Sequence, residues 1–298
     1  MKVLIIGSKG FIGSAVAFQF SARFGYEVYE SDVAVDYAKK NYFLIDATNA
    51  DYHSLFRDFK FDACINCSGA ANVSDSLMNP LRDYTLNTFN VFKLLDAIRI
   101  YQPSCKFLNL SSAAVYGNPV ELPVNEKMVP QPVSPYGEHK FQAELIAREF
   151  YNYYKISSCS VRIFSAYGPG LKKQLFWDIY KKATAYEVIE LFGTGQESRD
   201  FIYIDDLVNA IHCCLNNARF ESEVINIANG EEISVQHAVT TFLSYFPGKK
   251  EIYFSKTSKQ GDPLYWKADI SLLKGMGYKA STELETGLGN YYSWITQL

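Results

Sequence analysis

The sequence predicts an α/β fold: a doubly wound parallel sheet with a smaller, irregular C-terminal domain. Three observations carry that expectation. The chain opens on a continuous apolar run, Lys2 to Ile6, of the kind a parallel strand buried on both faces requires. The glycine loop Gly7-Ser-Lys-Gly10-Phe-Ile-Gly13 follows it and leads into a helix-like stretch. Strand-like and helix-like stretches then alternate as far as Phe164.

The first helix is expected from about Ile12 to Phe24. Glu27 to Glu30 reads as the second strand, Tyr42 to Ile45 as the third, ending at Asp46, and Ala63 to Cys67 as the fourth, ending in Ser68-Gly69. Leu81 to Tyr101 reads as one long helix stopped by Pro103, and Lys106 to Leu110 as a fifth strand ending at Ser111-Ser112. Pro135 opens the next helix, where the first-turn N–H has no partner to lose. It runs to about Tyr154, with Phe141, Leu145, Ile146 and Phe150 as its apolar stripe, and Ser160 to Phe164 is the sixth strand. Residues 1–164 thus form the expected sheet domain. Residues 165–298, richer in Gly, Pro and aromatic punctuation, form most of the smaller one. Phe201 to Ile204 with the following helix, and the strand Val224 to Ile227, are expected to bring 201–228 back to the main sheet.

The 298 residues, 48% apolar and 20% charged, suffice for a substantial core. A net charge of −3 and the lack of a basic arm predict no nucleic-acid partner. No apolar run approaches the roughly 20 residues that span a bilayer, and Val3 to Ile6 is too short for a signal-peptide core. Most of the six cysteines fall in or beside apolar strand-like runs, as buried free thiols do. That points to a reduced, cytoplasmic compartment. Cys64 and Cys67 match a CxxC spacing, but residues i and i+3 of a strand point to opposite faces. With no ligand spacing among the four histidines either, no metal site is expected.

The glycine loop sits between strand and helix, where one glycine permits a tight turn, one the approach of a pyrophosphate and one close helix–strand packing. The free N–H groups of the helix start then receive the anion. The second strand should deliver an acid to an adenosine ribose, and Asp32 stands there, with Glu30 and Asp36 as alternatives. A carboxylate accepts the ribose hydroxyls and repels a 2′-phosphate, which favours NAD over NADP.

Ser112 ends the fifth strand, on the side of a parallel sheet where ligands bind. Tyr136 and Lys140, in SPYGEHK, share a helix face at i and i+4. A phenol is a poor base at neutral pH, its pKa being about 10. A nearby ammonium and an oxidised nicotinamide would both lower it. Tyr136 would then take a proton from a sugar hydroxyl, Ser112 would hold that oxygen, and Lys140 would also hold the nicotinamide ribose. His139 faces elsewhere and reads as structural.

The ordered set GxxGxxG, SSAAVYG, SPYGxxK, RIFSAYGPG (162–170), GTGQESRDFIYIDD (193–206) and GDPLYWKADISLLKGMGY (261–278) resembles the extended short-chain dehydrogenase/reductases acting on nucleotide sugars, of the UDP-galactose 4-epimerase type. The resemblance covers the whole chain and implies a Rossmann-type NAD-binding domain followed by a nucleotide-sugar domain. Gly7, Gly10, Phe11, Ile12 and Gly13 would hold the pyrophosphate, Asp32 the adenosine ribose, and Asp46 with Ala47 would lie near adenine. Cys67, Ser68 and Gly69 would line the cofactor cleft with Asn87 close by, and Arg199 would bind the sugar-nucleotide diphosphate. The resemblance further implies a homodimer through the helices at 81–101 and 135–154. Two positions depart from the family pattern: Ser165 stands where Asn is frequent, and Lys259 where an arginine often precedes the GDP turn. Lysine lacks the planar fork that suits bidentate phosphate binding.

Within that family, dehydratases carry an acid pair after the catalytic Ser/Thr, decarboxylating members a Glu, and 3,5-epimerising reductases a Cys. Here the positions are Ala113 and Ala114, which transfer no proton. C4 epimerisation through a transient 4-keto sugar is therefore expected. A 4-keto-sugar reductase, a net C4 dehydrogenase and a non-catalytic NAD sensor are the alternatives.

Overall fold

The computed structural model describes residues 1–257 and 264–298. In chain order the first half holds β1 (Lys2–Ile6), α1 (Phe11–Ala22), β2 (Glu27–Asp32), β3 (Tyr42–Leu44), α2 (Tyr52–Asp58) and β4 (Ala63–Asn66). Then come α3 (Val73–Met78), α4 (Pro80–Tyr84), a π-helical stretch (Thr85–Phe89) and α5 (Asn90–Tyr101), followed by β5 (Lys106–Ser112), a 3₁₀ turn (Ala113–Tyr116), α6 (Pro135–Tyr154) and β6 (Ser158–Ile163). The second half comprises β7 (Ser165–Tyr167), α7 (Gln174–Ala185), β8 (Val188–Leu191), β9 (Ser198–Arg199), β10 (Phe201–Tyr203), α8 (Ile204–Asn217) and β11 (Glu221–Ile227). It ends with β12 (Ile233–Ser234), α9 (Val235–Leu243), β13 (Glu251–Phe254), α10 (Ser271–Gly275) and α11 (Leu284–Ile295).

Seven strands form one parallel sheet in the order β11-β6-β5-β4-β1-β2-β3. This is the doubly wound sheet expected. Alternate residues feed two cores, one on each face: Val3, Ile5, Ile65 and Leu108 on one, Leu4, Ile6, Cys64 and Phe107 on the other. Cys64 and Cys67 do part to opposite faces, since Cys67 packs on the first core. All six cysteines are free. The strand order reverses between β1 and β4, which opens a crevice at their carboxyl ends.

The helix expected over 81–101 is present: α4, the π stretch and α5 run on without a gap from Pro80 to Tyr101, with α3 before them. Pro80 separates α3 from α4, because it has no N–H to continue α3 and takes the first position of α4 instead. One expectation changes. Only the later part of 201–228 rejoins the main sheet: β11 lines up on β6, whereas β10 pairs with β7 in a separate two-stranded sheet. β6 has β5 on one side and β11 on the other, so no edge remains there for β10. Two more two-stranded sheets, β9 with β12 and β8 with β13, build the C-terminal part. Among the described residues no helix is long and apolar enough to cross a membrane, and no group of three metal-ligating side chains comes together.

Candidate active site

The glycine loop is tied to its surroundings by backbone. The N–H groups of Gly7 and Ser8 both donate to the carbonyl of Ser31, at 2.8 and 3.2 Å. Gly7 has φ +81°, and a Cβ there would meet the backbone nitrogen of Ser68 at 2.7 Å. A Cβ on Gly13 would collide with the carbonyl of Gly7. The chain therefore needs glycine at both places, one for conformation and one for close approach. Gly10 caps α1, and no side chain covers that helix start, so the first-turn N–H groups of Phe11, Ile12 and Gly13 face the crevice uncapped. This loop, with Cys67 and Ser68 against it, fits the pyrophosphate of a dinucleotide.

Asp32 ends β2, half-buried, one strand away. Its Oδ2 accepts the Lys9 N–H at 2.8 Å and its Oδ1 the Val33 N–H at 2.7 Å, which fastens the glycine loop to the second strand. The neighbouring acids each hold a lysine: Glu30 pairs with Lys39 and Asp36 with Lys9. Asp46 is exposed and organises its own turn, accepting from the backbone of Thr48 and Asn49, which keeps its carboxyl below the usual range. The carbonyl of Ala47 accepts the Asn90 amide at 2.9 Å.

Deeper in the crevice, Gly69 (φ +125°), Asn87 and Lys140 meet. A Cβ on Gly69 would collide with Asn87 Oδ1 and stand 3.4 Å from the Lys140 ammonium. Asn87 lies in the π-helical stretch, and both atoms of its buried amide lack a partner among the described residues. Irregular helical turns of this kind re-aim side chains at functional sites. Two orphaned amide atoms beside the crevice are what a bound ribose or carboxamide would satisfy. Burial pushes the Cys67 thiol up to about 12, so it is an inert wall.

The catalytic candidates come from two elements. Ser112 ends β5, and its Oγ caps the 3₁₀ turn by accepting the Ala114 N–H at 3.1 Å. Ser134 caps α6 by accepting the Gly137 N–H at 3.2 Å, Pro135 takes the first position, and Tyr136 follows with its N–H on the buried Ser76 hydroxyl, also at 3.2 Å. The Ser112 side chain lies near enough to Tyr136 to favour its phenolate. Burial holds the phenol above its ordinary value, and Ser112 pulls it partly back. Lys140 is 6% exposed, and its ammonium donates to the Leu110 carbonyl at 2.9 Å. Burial lowers it to about 8. The ammonium is thus turned to the β5 backbone.

Ser165 begins β7, with its N–H on the Asp200 carbonyl at 3.0 Å. Arg199 donates to the Ser198 carbonyl at 2.8 Å, and its guanidinium lies 5.7 Å from the Trp266 ring centre. Lys259 lies outside the described residues. Sequence reasoning overlooked Asp200, next to Arg199. It is fully buried and accepts the N–H groups of Asn229, Gly230 and Ala268, so it draws together the segments around 229–230 and 268. Burial pushes its carboxyl up to about 6 against those bonds. Its signal was the acid in RDF, hidden by the more suggestive arginine.

The model of the NAD dependent epimerase/dehydratase family matches residues 3–228. UDP-glucuronate 4-epimerase 4 of Arabidopsis thaliana is 26% identical over 99% of this chain and 75% of its own. The crystal structure of UDP-glucuronic acid 4-epimerase from Bacillus cereus, in complex with UDP-glucuronic acid and NAD, is 26% identical over 100% of this chain and 99% of that one, with a TM-score of 0.90. The UDP-glucose 4-epimerase of Thermotoga maritima shares the fold at a TM-score of 0.88 and 23% identity, over 100% of this chain and 99% of that one.

Proposed function

This chain belongs to the NAD dependent epimerase/dehydratase family, and on that premise we propose that it is an NAD-dependent epimerase that inverts C4 of a UDP-sugar. The observation that carries the reading is that Ser112, at the end of β5, and Tyr136, in the first turn of α6, come together beside the crevice, with alanine at 113 and 114 after the serine. Those two alanines remove the extra acid or thiol that elimination or C3/C5 chemistry requires.

NAD, when bound, supplies the hydride acceptor and donor. Gly7, Gly10, Phe11, Ile12 and Gly13 would hold its pyrophosphate, Asp32 its adenosine ribose, Asp46 and Ala47 its adenine end, and Asn87, Lys140 and the wall from Cys67 to Gly69 its nicotinamide half. Ser112 donates to O4 of the sugar and orients it. As its phenolate, Tyr136 would take the O4 proton when C4 is oxidised, leaving a neutral 4-keto sugar, and would return that proton to O4 once the sugar has turned over. Burial works against the phenolate and Ser112 offsets it only in part; the positive charge of bound NAD+ would supply the remainder. Ser165, Arg199 and Lys259 would bind the substrate, Arg199 at its diphosphate.

The reading extends to a homodimer. Leu77, Met78, Leu81, Tyr84, Phe89 and Phe92 lie exposed along α3, α4, the π-helical stretch and α5, apolar side chains that a second copy would cover. Six unpaired cysteines fit a reducing, cytoplasmic setting.

The test is equilibration of UDP-glucose with UDP-galactose, and of UDP-glucuronate with its 4-epimer, by purified protein without added cofactor. Approach to the same ratio from both sides supports the reading. Turnover that demands stoichiometric NAD(P)H and a 4-keto sugar replaces it with a reductase.

A further inference from the structure

Trp266 touches both halves of the site. Its side chain is buried on the first core, with the Phe164 ring edge-on at 5.6 Å. The Arg199 guanidinium lies over its ring, 5.7 Å from the centre, and Nε1 donates to the Gly117 carbonyl at 3.3 Å. Gly117 directly follows the 3₁₀ turn that Ser112 caps. One rigid side chain thus spans from the arginine assigned to the diphosphate to the turn that carries the serine assigned to O4.

The backbone around Trp266 repeats that span. β9, which carries Arg199, has β12 on one side and residues 264–266 on the other: the Ser198 N–H donates to the Leu264 carbonyl at 3.0 Å, and the Trp266 N–H to the Ser198 carbonyl at 3.2 Å. Arg199 Nη1 donates to the carbonyls of Ser198 and Leu264, at 2.8 and 3.4 Å. The same segment also holds the residues after Ser112. The Leu264 N–H donates to Asn118 Oδ1 at 3.0 Å, and the Val124 N–H to the Lys267 carbonyl at 2.7 Å. Tyr116, the last residue of the turn, reaches Asp269 through Asn226: its hydroxyl donates to Oδ1 at 2.7 Å, and Nδ2 donates to the Asp269 carbonyl at 3.2 Å.

Indole combines an electron-rich face, which attracts a guanidinium, with an N–H donor at its edge. Here each is used on a different half of the site. We propose that Trp266 is a positioning residue that sets the separation between Arg199 and the Ser112 turn. This rests on the assignment of Arg199 to the diphosphate and of Ser112 to O4. Inversion at C4 needs that separation fixed, because the sugar must bring O4 to Ser112 and Tyr136 both before and after it turns, while the diphosphate stays held.

Phenylalanine at 266 keeps the ring face and loses the donor; leucine loses both. Each variant of the intact chain is titrated calorimetrically with UDP, assayed for turnover of the UDP-sugar pair, and followed by hydrogen exchange over 113–118. Trp266→Phe should bind UDP within about twofold of the parent, turn over on the order of tenfold more slowly and exchange faster at 113–118. Trp266→Leu should show the same slowing and also bind UDP about fivefold more weakly. Parent-like UDP affinity in folded Trp266→Leu overturns the proposal, and so does Trp266→Phe with both turnover and exchange unchanged. Should Trp266→Leu not fold, the parent labelled with 5-fluorotryptophan takes its place: UDP should move the ¹⁹F signal that Trp266→Phe lacks, and a signal that stays in place overturns the proposal. A parent that binds no UDP removes the Arg199 assignment and the proposal with it. UDP affinity and exchange that follow the expected pattern without equilibration of any UDP-sugar support Trp266 and sink the epimerase reading alone.

Discussion

Gly137 lays its bare Cα against the carbonyl of Ala114: a Cβ there would stand 2.5 Å from that oxygen and 3.0 Å from Cβ of Pro132. This close approach is what lets the first turn of α6 reach the 3₁₀ turn after β5, and so brings Tyr136 to Ser112. Gly137→Ala should push the turn outward by a fraction of an ångström to an ångström. Misplacement on that scale costs up to about 10²-fold in rate. Turnover should fall by one to two orders of magnitude with KM and retained cofactor little changed. Steady-state kinetics and the absorbance of released nucleotide check both parts.

Tyr136→Phe removes the proton acceptor and leaves the glycine loop untouched. General acid–base contributions run at about 10²–10⁴-fold, so epimerisation should drop by at least 10²-fold while NAD still co-purifies. A non-catalytic NAD sensor would lose nothing. Mass spectrometry of released ligand, together with the rate, separates the two.

Lys140→Met should stabilise the fold while abolishing turnover. The ammonium falls from 10.5 to about 8 on burial, which at 1.36 kcal/mol per unit is a penalty on the order of 3 kcal/mol. Because the folded value lies below the unfolded one, the penalty is fully present below about pH 8 and fades as pH rises toward 10.5. Loss of the bond to Leu110 offsets about 1 kcal/mol. A gain of roughly 2 kcal/mol at pH 7 should raise Tm by a few degrees, and the gain should shrink at pH 10. In the parent enzyme, activity should decline above about pH 8 as the ammonium is lost.

The sheet was legible because parallel strands buried on both faces, such as Val3 to Ile6 and Ala63 to Ile65, leave uninterrupted apolar runs. The glycine loop and SPYGEHK were legible because each packs its chemistry into a few adjacent residues. What escaped the sequence was held together by distance. Asp83 meets His139 across 56 residues, and Asp200 meets Ala268 across 68. The π stretch at Thr85–Phe89 leaves the helical pattern intact while shifting which side chain faces inward, so Asn87 could be named but not aimed. The direction of the Lys140 ammonium, toward Leu110, follows from side-chain torsions that no spacing encodes.

Arg162 and Glu144 form a buried pair with bonds at 2.6 and 3.0 Å, to which Ser111 adds its hydroxyl at 2.5 Å. The pair ties β6 to α6 and to the residue beside Ser112. Removing one partner strands a buried charge, at a cost of about 3–5 kcal/mol. Arg162→Met should therefore destabilise by several kcal/mol in urea unfolding. Arg162→Met combined with Glu144→Leu should recover much of the loss, because no charge is left unpaired.

Leu81 is 77% exposed on α4 and packs on little within its own chain. A lysine there costs the folded monomer almost nothing, since surface substitutions away from special features stay within about 0.5 kcal/mol. In a homodimer closed through this face, the same lysine would meet its symmetry mate's apolar run and go unpaired in a desolvated contact. Leu81→Lys should therefore leave Tm at low protein concentration unchanged and convert a dimer to a monomer in light scattering at micromolar concentration. A parent chain that already scatters as a monomer would remove the homodimer, and a variant that stays dimeric would move the contact to another face.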